Sequence, residues 1–505
     1  MISPYIYYAL VGAFCATWAL RARRRSNLLP PGPKPLPLIG NILDMPREKE
    51  WFTFAEWAME WGKLVSVNVL GQTMIIVNSV DVGLELMANR SGNYSERPDI
   101  PMAELATYTE SMTGAIQYGT YTFFRHRTHI HKAVGTPAAV RQYEEALELE
   151  VGLFLGEVMR KPEQLHAHIK HMVGSSIMRI AYGHESQQND PLIRLANIVM
   201  EEFSLALAPG TYLANMIPAL THVPAWFPGA QFKKTAQKWA KNTRRMQDEP
   251  FEVVREQMRQ NTAQPSFTSR LLTRNPNPSP QEEEAMKSAA SSLFGGGSDT
   301  SSSSIHAFVL AMLLFPDVQR KAQAELDAVV GPDRLPTFAD RKDLPYIDAM
   351  VLEILRWHPV VPMGVVHRAK EDDMYEGYLI PKGAILLPNA WFMLNNPDTY
   401  PEPRKFDPER FIATETHKPA PDPTDSCFGF GRRRCPGRLL ANSSIFIACA
   451  RILASFNIEK AKRDGKVVEP VIEQTTGIIS HILPFECSIT PRSAQAARLI
   501  NEFSS

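Results

Sequence analysis

The longest uninterrupted helical pattern in the chain most constrains its fold. The pattern begins at Ser279 and Pro280, a pairing typical of a helix N-terminus, and ends at Phe315, just before Pro316. A helix of roughly 35 residues is about 50 Å long, enough to cross a whole domain. Three glycines, at 295–297, interrupt its interior. Because glycine destabilises a helix interior, this triplet is expected to have a specific role.

Other segments repeat the helical spacing, whereas strands are scarce. A hairpin is predicted from Leu64–Val69 and residues 73–77, and short strands near 363–367 and 379–387. The polar run 261–278 is predicted to be a surface loop. No repeat or low-complexity linker divides the body, so the sequence predicts one mainly α domain with minor β structure. Further helices are predicted over residues 141–159, 166–182, 192–207, 232–260 and 346–357.

The amino terminus has the pattern of a membrane anchor. Residues 4–20 form an apolar run near the lower length limit for a membrane-spanning helix, and RARRR follows at 21–25. A cleaved secretory peptide would carry its charge before the apolar run, so a retained anchor is favoured. We therefore expect a single transmembrane anchor with its basic stop over 1–25, a stiff proline-rich hinge over 26–41, and a cytosolic body over 42–505.

Charge and cysteine content exclude several other classes of function. Lys plus Arg equals Asp plus Glu, 54 each, so no overall charge attracts nucleic acid. The five cysteines form no C-x-x-C pair, which suits a reducing compartment and does not fit the usual zinc sites. What is left is a single thiol that acts alone, and Cys435 has by far the most unusual surroundings.

Cys435 lies in the stretch FGFGRRRCPGRLLA, residues 428–441. Gly431 and Gly437 would let the backbone approach a flat ligand, and the helix that follows would direct its positive end at the sulfur. The arginines before the cysteine would further stabilise a thiolate, and Pro436 suits a first helical turn. The alternative is a buried structural cysteine beside a solvated basic run, which is the more common role of an isolated cysteine.

This stretch resembles the cysteine loop of the cytochrome P450 superfamily. The family form F-x-x-G-x-R-x-C-x-G is met by Phe428, Gly431, Arg433, Cys435 and Gly437. The resemblance implies a P450 fold with a single haem domain, in which Cys435 is the axial thiolate ligand of the haem iron. It also implies that Phe428, Arg433 and Gly437 help to hold the haem.

The glycine triplet continues into GGSDT, residues 296–300, which resembles the acid–alcohol pair of the same family. The resemblance implies that small residues open a groove for dioxygen, while Asp299 and Thr300 deliver protons there. A phosphate-binding glycine loop is the alternative. That loop would need a lysine and a preceding strand, and the sequence predicts neither here.

Glu353 and Arg356 form an E-x-x-R pair with helical i, i+3 spacing. The same pattern occurs twice in residues 252–259, so only order along the chain singles out Glu353. It follows the acid–alcohol pair and precedes PERF at 408–411, as in the P450 family. The resemblance implies a buried network of Glu353, Arg356 and Arg410 that stabilises the fold near the cysteine.

The resemblance also implies cations for the haem propionates, and the matching residues are Arg127, His367 and Arg433. The tryptophan usual in W-x-x-x-R is Phe123 here, so the indole N–H that would contact a propionate is lost. The neighbouring histidines at 126, 129 and 131 are interpreted as an exposed polar face rather than a metal site, because no carboxylate cluster joins them.

The chain contains no dinucleotide-binding fingerprint, so its electrons are expected to come from another protein. The resemblance implies NADPH–cytochrome P450 reductase, with cytochrome b5 as a second candidate donor. Arg432, Arg434 and Arg438 would form a basic patch for that donor, and paired charges on a solvated surface are the alternative. Segments such as YSERP, residues 94–98, are similar to those of fungal microsomal members that modify specialised metabolites, which implies the endoplasmic reticulum membrane.

The reaction implied by the resemblance is oxidation of a hydrophobic small molecule with dioxygen. A mostly apolar lining favours a terpenoid, with indolic or polyketide aromatic scaffolds as alternatives. Two other functions are kept open, namely a haem-thiolate isomerase or dehydratase that needs no reductase, and a non-catalytic haem carrier or membrane scaffold. The acid–alcohol pair argues against both. Substrate-facing positions, by the same analogy, are 100–117, 203–212, Phe294, Ser298, 361–365 including Val361 and Val365, Ile478 and Ile479.

Overall fold

A computed structural model describes residues 27–208, 210–416 and 418–504, so the predicted anchor over 1–25 lies outside the described residues. The described chain is mainly α-helical with minor β structure, as predicted. Its α-helices of eight residues or more span Glu50–Trp61, Tyr121–Val134, Glu144–Arg160, Leu165–Tyr182, Pro191–Leu207, Gln231–Arg259, Phe267–Arg274, Pro280–Leu314, Pro316–Val329, Pro345–Trp357, Arg438–Ser455 and Ala494–Ser504.

Shorter elements connect these helices. Short α-helices span Val80–Gly83, Ser91–Tyr94, Pro101–Leu105, Tyr108–Ser111, Pro137–Arg141, Leu213–Met216, Ala390–Asn395 and Thr424–Cys427, and a π-helix spans Leu84–Asn89. The 3-10 helices span Pro162–Gln164, Pro218–His222, Phe338–Asp343, Pro408–Phe411 and Gly431–Arg433. The strands are Leu64–Val69, Gln72–Val77, His367–Arg368, Asp373–Tyr375, Tyr378–Ile380, Ile385–Pro388, Phe456–Lys460, Lys462–Arg463, Lys466–Val467 and Cys487–Pro491.

The helix Pro280–Leu314, called the long helix below, has almost the predicted bounds. Its first turn is capped as predicted, because the Glu282 N–H donates to Ser279 Oγ at 3.3 Å. Every residue from 301 to 313 is buried, and a helix buried on all sides lies in the core of its domain. It packs against Tyr121–Val134, Leu165–Tyr182 and Arg438–Ser455. The long helix is therefore the element around which the other helices are arranged.

The glycine triplet does not break the long helix, which continues as an α-helix through all three positions. A Cβ atom on Gly295 would lie 2.7 Å from Met200 Sδ, and one on Gly297 would lie 3.2 Å from Ile177. A Cβ on Gly296 would meet no described atom within 4 Å. Two of the glycines thus allow close helix packing, and only Gly296 faces open space, which corrects the expectation that the whole triplet opens a groove.

The largest sheet has four strands, in the order Leu64–Val69, Gln72–Val77, Ile385–Pro388 and His367–Arg368. The first two form the predicted antiparallel hairpin, and the second pairs in parallel with the third. The last strand pairs antiparallel to the third and begins with His367. The strand predicted over 363–367 is therefore observed only as the two residues His367 and Arg368.

The described part of the proline-rich segment packs against this sheet. The Ser66 N–H donates to Pro31 O at 2.8 Å, and Gly40 forms a β-bridge with Val69. A Cβ on Gly32 would lie 2.2 Å from Ser66 O, so the close approach of two backbone segments requires glycine there. These contacts attach the described part of the segment to the body.

The prediction of a structureless loop over 261–278 is wrong. Residues Phe267–Arg274 form a helix, and Ser266 and Ser269 make reciprocal capping hydrogen bonds at its start. Phe267, Leu271 and Leu272 bury its apolar side in the main core. The sequence signal was weak because a helix of two turns contributes too few apolar positions to show a period.

Among the described residues, one helix is long and apolar enough to cross a membrane, Arg438–Ser455. Most of its residues are buried inside the domain, where it packs against the long helix. Its apolar composition is therefore explained by its position in the core.

Candidate active site

Cys435 lies in the cysteine loop, defined as residues 428–437, directly before the helix Arg438–Ser455. The Cys435 N–H donates to Phe428 O at 2.8 Å, which closes the loop. The loop thus presents a half-buried cysteine at the start of a core helix. Pro436 lies before the first helical turn rather than in it, which corrects the prediction for that residue.

Burial raises the pKa of the Cys435 thiol. The backbone N–H of Gly437 and the charges of Arg127 and Arg438 act in the opposite direction but are smaller in effect. The helix start and the nearby cations therefore favour the thiolate, but burial outweighs them. A metal cation bound to the sulfur would add the missing stabilisation, since coordinated thiols lose their proton.

The three arginines that precede the cysteine, at 432–434, contact groups other than the Cys435 sulfur. Arg432 donates to Tyr118 Oη. Arg434 forms an ion pair with Asp425 at 3.3 Å, which favours the paired-charge alternative for this residue. Arg433 extends into the interior, away from any surface patch.

The two glycines of the family motif have different roles. Gly431 has a φ of +51°, and a Cβ there would lie 2.2 Å from Met87 O. Contact with another backbone segment therefore requires this glycine, rather than approach to a flat ligand. A Cβ on Gly437 would lie 3.9 Å from Cys435 Sγ, an ordinary van der Waals distance, so Gly437 is the glycine of the motif that lies beside the sulfur.

Four basic side chains lie near the cysteine loop and form what is called the cation cluster below: Arg97, Arg127, His367 and Arg433. Within the described chain, none of the four forms an ion pair with a carboxylate. All of their side-chain hydrogen bonds go to backbone carbonyls: Arg97 to those of Gly114, Val365 and Val366, Arg127 to that of Arg434, His367 to that of Tyr94, and Arg433 to those of Ser95 and Ile116.

The pKa shifts within the cluster have a common cause. Burial, followed by the charge of Arg433, lowers the pKa of Arg97 well below its usual value. Burial and the charge of Arg127 lower the pKa of Arg433 to about 10. Burial and the charge of Arg97 lower the pKa of His367, so its ring is neutral, whereas the resemblance implied a cation. Like charges buried together without a counter-ion are unfavourable, and an anion bound among them would reverse these shifts.

One atom of the cluster also lacks a partner. Arg433 Nη2 is buried and has no hydrogen-bond acceptor among the described residues. Buried guanidinium groups normally satisfy all their donors, so a bound anion is expected at this position. Haem carries two carboxylates, and the cation cluster beside a cysteine fits such a group.

Arg97 was not singled out from the sequence. Its burial and its contacts with backbone carbonyls 114, 365 and 366 become visible only in the folded chain. The one local signal is Pro98, because a proline restricts the backbone of the residue before it, here Arg97. That signal does not separate Arg97 from the other basic residues of the chain.

The Phe123 ring lies 4.5 Å from the Arg433 guanidinium carbon. The phenylalanine that replaces the usual tryptophan therefore keeps the stacking on this arginine while it lacks the indole N–H. Phe428, the first residue of the family motif, is half-buried and packs against the main core.

Asp299 and Thr300 have separate partners in the structure. Thr300 Oγ1 donates to Gly296 O at 2.7 Å, one turn earlier in the long helix. Asp299 Oδ2 lies 3.3 Å from His481 Nε2. Consecutive helical residues do not face each other, so the two side chains are neighbours without a mutual hydrogen bond.

A cleft that is partly open to solvent lies beside the cation cluster. It includes Arg97 and Glu50 in an otherwise mostly apolar lining. The predicted substrate positions found in this lining are Ile100, Ala103, Thr109, Gly114, Ala115, Leu207, Met363, Gly364, Val365 and Ile478.

Four of the six pocket residues that were predicted individually lie outside that lining. Phe294 is 1% exposed, and its ring packs edge-on against Tyr182 in the core. Ser298 and Ile479 are buried as well, and Val361 is half-buried. The cleft thus contains Val365 and Ile478 but not these four.

Glu353, Arg356 and Arg410 lie in mutual contact. Arg356 donates to both Glu353 carboxylate oxygens, at 2.7 and 2.8 Å, and Arg410 Nε donates to Glu353 Oε1 at 3.2 Å. The Asp407 N–H donates to the same oxygen at 2.8 Å. Glu353 and Arg356 are fully buried, whereas the similar pair Glu256–Arg259 lies on the surface and the pair Glu252–Arg255 is only half-buried at its arginine.

The expectation of an exposed histidine face on Tyr121–Val134 is wrong for two of the three histidines. His126 is 0% exposed and lies 3.1 Å from Thr113 Oγ1. His129 lies 3.1 Å from Glu282 Oε1 of the long helix. Both side chains hold the helix against its neighbours, and within the described chain no cluster suited to a metal ion includes them.

The fold is mainly α, and the site places a cluster of buried basic side chains beside a cysteine. The family model for cytochrome P450 matches residues 30–488. The chain therefore belongs to the cytochrome P450 family, whose cofactor is a haem with a thiolate ligand, and it is a monooxygenase of that family.

Similar proteins come from fungi. The chain is 47% identical to cytochrome P450 monooxygenase 208 of Postia placenta, over 94% of this chain and 92% of that protein. It is 43% identical to cytochrome P450 monooxygenase claR of Ampulloclitocybe clavipes, over 94% and 89% of the two chains. It is 36% identical to the multifunctional cytochrome P450 monooxygenase af510 of Aspergillus fumigatus, over 98% and 94%.

Proposed function

We propose that this monooxygenase binds haem through Cys435 and oxidises a hydrophobic small molecule, terpenoid in type, in fungal secondary metabolism. The observation that supports the haem site best is the cation cluster, which has no carboxylate partner among the described residues and lies beside Cys435. Bound haem supplies the centre at which dioxygen is activated. The remaining steps depend on side chains of this chain.

The cation cluster would hold the haem carboxylates, with Arg97, Arg127 and Arg433 as charged partners. Gly437 lies beside the Cys435 sulfur. The apolar cleft would bind the substrate and exclude water, which favours substrate oxidation over loss of partly reduced oxygen. Asp299 and Thr300 would hold and move the protons that the reaction consumes.

Electrons would come from NADPH–cytochrome P450 reductase, with cytochrome b5 as a second candidate donor. Arg438 and Arg432 remain as cations for such a contact, whereas Arg434 is already paired with Asp425. The mostly apolar lining of the cleft supports a hydrophobic substrate, and the fungal relatives support a role in secondary metabolism.

A reduced carbon-monoxide difference spectrum of the recombinant full-length protein tests the proposal. A strongly red-shifted Soret band is expected from thiolate-ligated haem. Absence of a haem signal in folded protein would refute the haem site, and a histidine-type band would refute ligation by Cys435. Product formation that does not need NADPH would instead favour the isomerase alternative.

Replacing Thr300 by alanine is expected to uncouple NADPH consumption from substrate oxidation. Proton delivery by a positioned side chain contributes ~10²–10⁴-fold to such steps, so product formed per NADPH should fall by about tenfold or more. Haem content and the carbon-monoxide spectrum should not change. The measurement is hydrogen peroxide and NADPH turnover in the reconstituted system.

Ser304→Ala is the matched control for Thr300→Ala. Ser304 also bonds back to a carbonyl one turn earlier, that of Thr300, at 3.4 Å. It should therefore report the general effect of removing a hydroxyl from the long helix. Equal uncoupling by both variants would show that Thr300 has no special role in proton delivery.

Deleting residues 1–26 is expected to release the protein from membranes without loss of haem. The described contacts of the proline-rich segment begin after this deletion, so the folded body should stay intact. Fractionation of cells that express each form is the measurement. The deleted form should be found in the soluble fraction, and persistent binding to endoplasmic reticulum membranes would show that residues 1–26 are not the main anchor.

A further inference from the structure

Residues 474–483, called the C-terminal loop below, lie shortly before the last strand, Cys487–Pro491. This loop brings His481 to Asp299 of the long helix. His481 Nε2 lies 3.3 Å from Asp299 Oδ2. Because a carboxylate only accepts, Nε2 carries the shared proton. The His481 side chain is 21% exposed and that of Asp299 is 14% exposed, so the imidazole lies between solvent and a largely buried carboxylate.

The C-terminal loop does not need this contact to keep its shape. The Thr475 N–H donates to His481 O at 2.8 Å, and the His481 N–H donates to Thr475 Oγ1 at 2.9 Å. Ser303 of the long helix donates to Ser480 O at 2.7 Å, and the Ser480 N–H donates to Val360 O at 2.8 Å. These bonds fix the backbone at His481 on both sides. The imidazole is thus positioned by the loop rather than holding the loop in place.

Three more histidines face His481 from neighbouring elements. His306 comes from the long helix, His166 from the helix Leu165–Tyr182, and His358 from the segment after Pro345–Trp357. Burial lowers their pKa values to about 3 for His306, about 4 for His166 and about 4 for His358. All three are neutral at physiological pH and cannot supply a proton there. Lys170, beyond His166, is the remaining cation nearby.

We propose that His481 relays protons from solvent to Asp299. The inference rests on the proposed proton-delivery role of Asp299 and Thr300, because a monooxygenase reduces one atom of dioxygen to water and consumes two protons. In each transfer the free Nδ1 of the His481 ring first accepts a proton from solvent. The Nε2–H bond then breaks as an O–H bond forms on Asp299 Oδ2, and exchange with water moves the remaining ring proton from Nδ1 back to Nε2. The net result is one proton moved from solvent to the carboxyl group, and imidazole suits this task because one ring nitrogen can accept a proton while the other donates one.

His481→Gln is the first test. Glutamine keeps an N–H donor for Asp299 but cannot release a proton. The variant would therefore keep the contact between residue 481 and Asp299 and lose the proton supply to Asp299. In haem-loaded protein with reductase and NADPH, hydrogen peroxide per NADPH should rise at least about twofold, toward the value of Thr300→Ala, since general acid steps contribute ~10²–10⁴-fold. The carbon-monoxide spectrum should be unchanged. His166→Gln, which alters a nearby histidine without contact to Asp299, should leave the peroxide yield unchanged.

His481→Arg separates proton transfer from simple positioning. Arginine can keep the ion pair with Asp299, yet it does not release a proton near neutral pH. The relay predicts a raised peroxide yield in this variant too. A wild-type yield in His481→Arg would show that a positive charge beside Asp299 is sufficient and would overturn the relay.

Thermal unfolding provides a readout that does not depend on turnover. His481→Gln should melt within a few degrees of the wild type, because the loop backbone keeps its own hydrogen bonds. His481→Ala and Asp299→Asn should not be additive when combined, since both remove the same contact. Fully additive shifts would mean that the two side chains do not meet in solution, which would overturn the inference.

The outcomes also distinguish this inference from the proposed function. An unchanged peroxide yield in His481→Gln, together with a raised yield in Thr300→Ala, would overturn the relay and leave the monooxygenase proposal standing. Unchanged yields in both variants would overturn proton delivery through the Asp299–Thr300 pair as well. Raised yields in both, with His166→Gln unchanged, would support the relay.

Discussion

Cys435→Ala is expected to abolish the red-shifted carbon-monoxide band and to reduce turnover by more than about 100-fold, because loss of an outer partner alone often costs ~10–100-fold in metal affinity or activity. Alanine removes the sulfur and leaves the neighbouring backbone unchanged. The hydrogen bond from the backbone N–H at position 435 to Phe428 O does not involve the side chain, so the cysteine loop of the variant should keep its conformation. The measurements are the reduced carbon-monoxide spectrum, haem content and NADPH-dependent product formation.

Cys427→Ala is the matched control for this variant. Cys427 lies at the end of a short helix eight residues before Cys435, and burial raises its pKa well above the usual value. It is therefore a neutral, packed thiol without a predicted ligand role. This variant should keep the spectrum and most of the activity. If Cys435→Ala kept a normal thiolate spectrum, the proposed ligand would be wrong.

Glu353→Ala is expected to have the largest effect on stability. The substitution would leave Arg356 buried without its carboxylate and would remove the acceptor of the Arg410 and Asp407 hydrogen bonds. Breaking a buried ion pair by removal of one partner costs ~3–5 kcal/mol. That is a large part of the stability of an ordinary domain, which is roughly 5–15 kcal/mol. We expect poor expression, a low haem content and an apparent melting temperature many degrees below that of the wild type.

Glu256→Ala is the control with the same E-x-x-R pattern. Its partner, Arg259, lies on the surface, with an N–O distance of 3.0 Å. Exposed ion pairs contribute only ~0–1 kcal/mol. This variant should therefore melt close to the wild type at the same scan rate. A similar loss of stability in both variants would show that burial of Glu353 is not what matters.

Local patterns in the sequence were sufficient to predict the bounds of the helices that bury a wide apolar face. The long helix, the helix Leu165–Tyr182 and the hairpin at Leu64–Val69 were predicted almost residue by residue, because capping residues and apolar periods act within a few residues of chain. The cysteine loop and its family were also visible, since a dense motif of glycine, arginine and cysteine has few other uses. The helix Phe267–Arg274 was missed because its apolar side is too short to give a period.

Only the tertiary structure decided which charged and small residues meet. The structure shows that Glu353 is buried, unlike the two glutamates of the E-x-x-R pairs within 252–259. It also shows that Arg97 belongs to the cation cluster and that Gly295 and Gly297 allow close helix packing. His481 reached Asp299 from a segment 182 residues away. The sequence by itself determined the helices, the family and the candidate ligand, because these depend on neighbours along the chain. Contacts between distant segments, and the pKa shifts caused by burial, depend on solvent exclusion that arises only when the whole domain is packed.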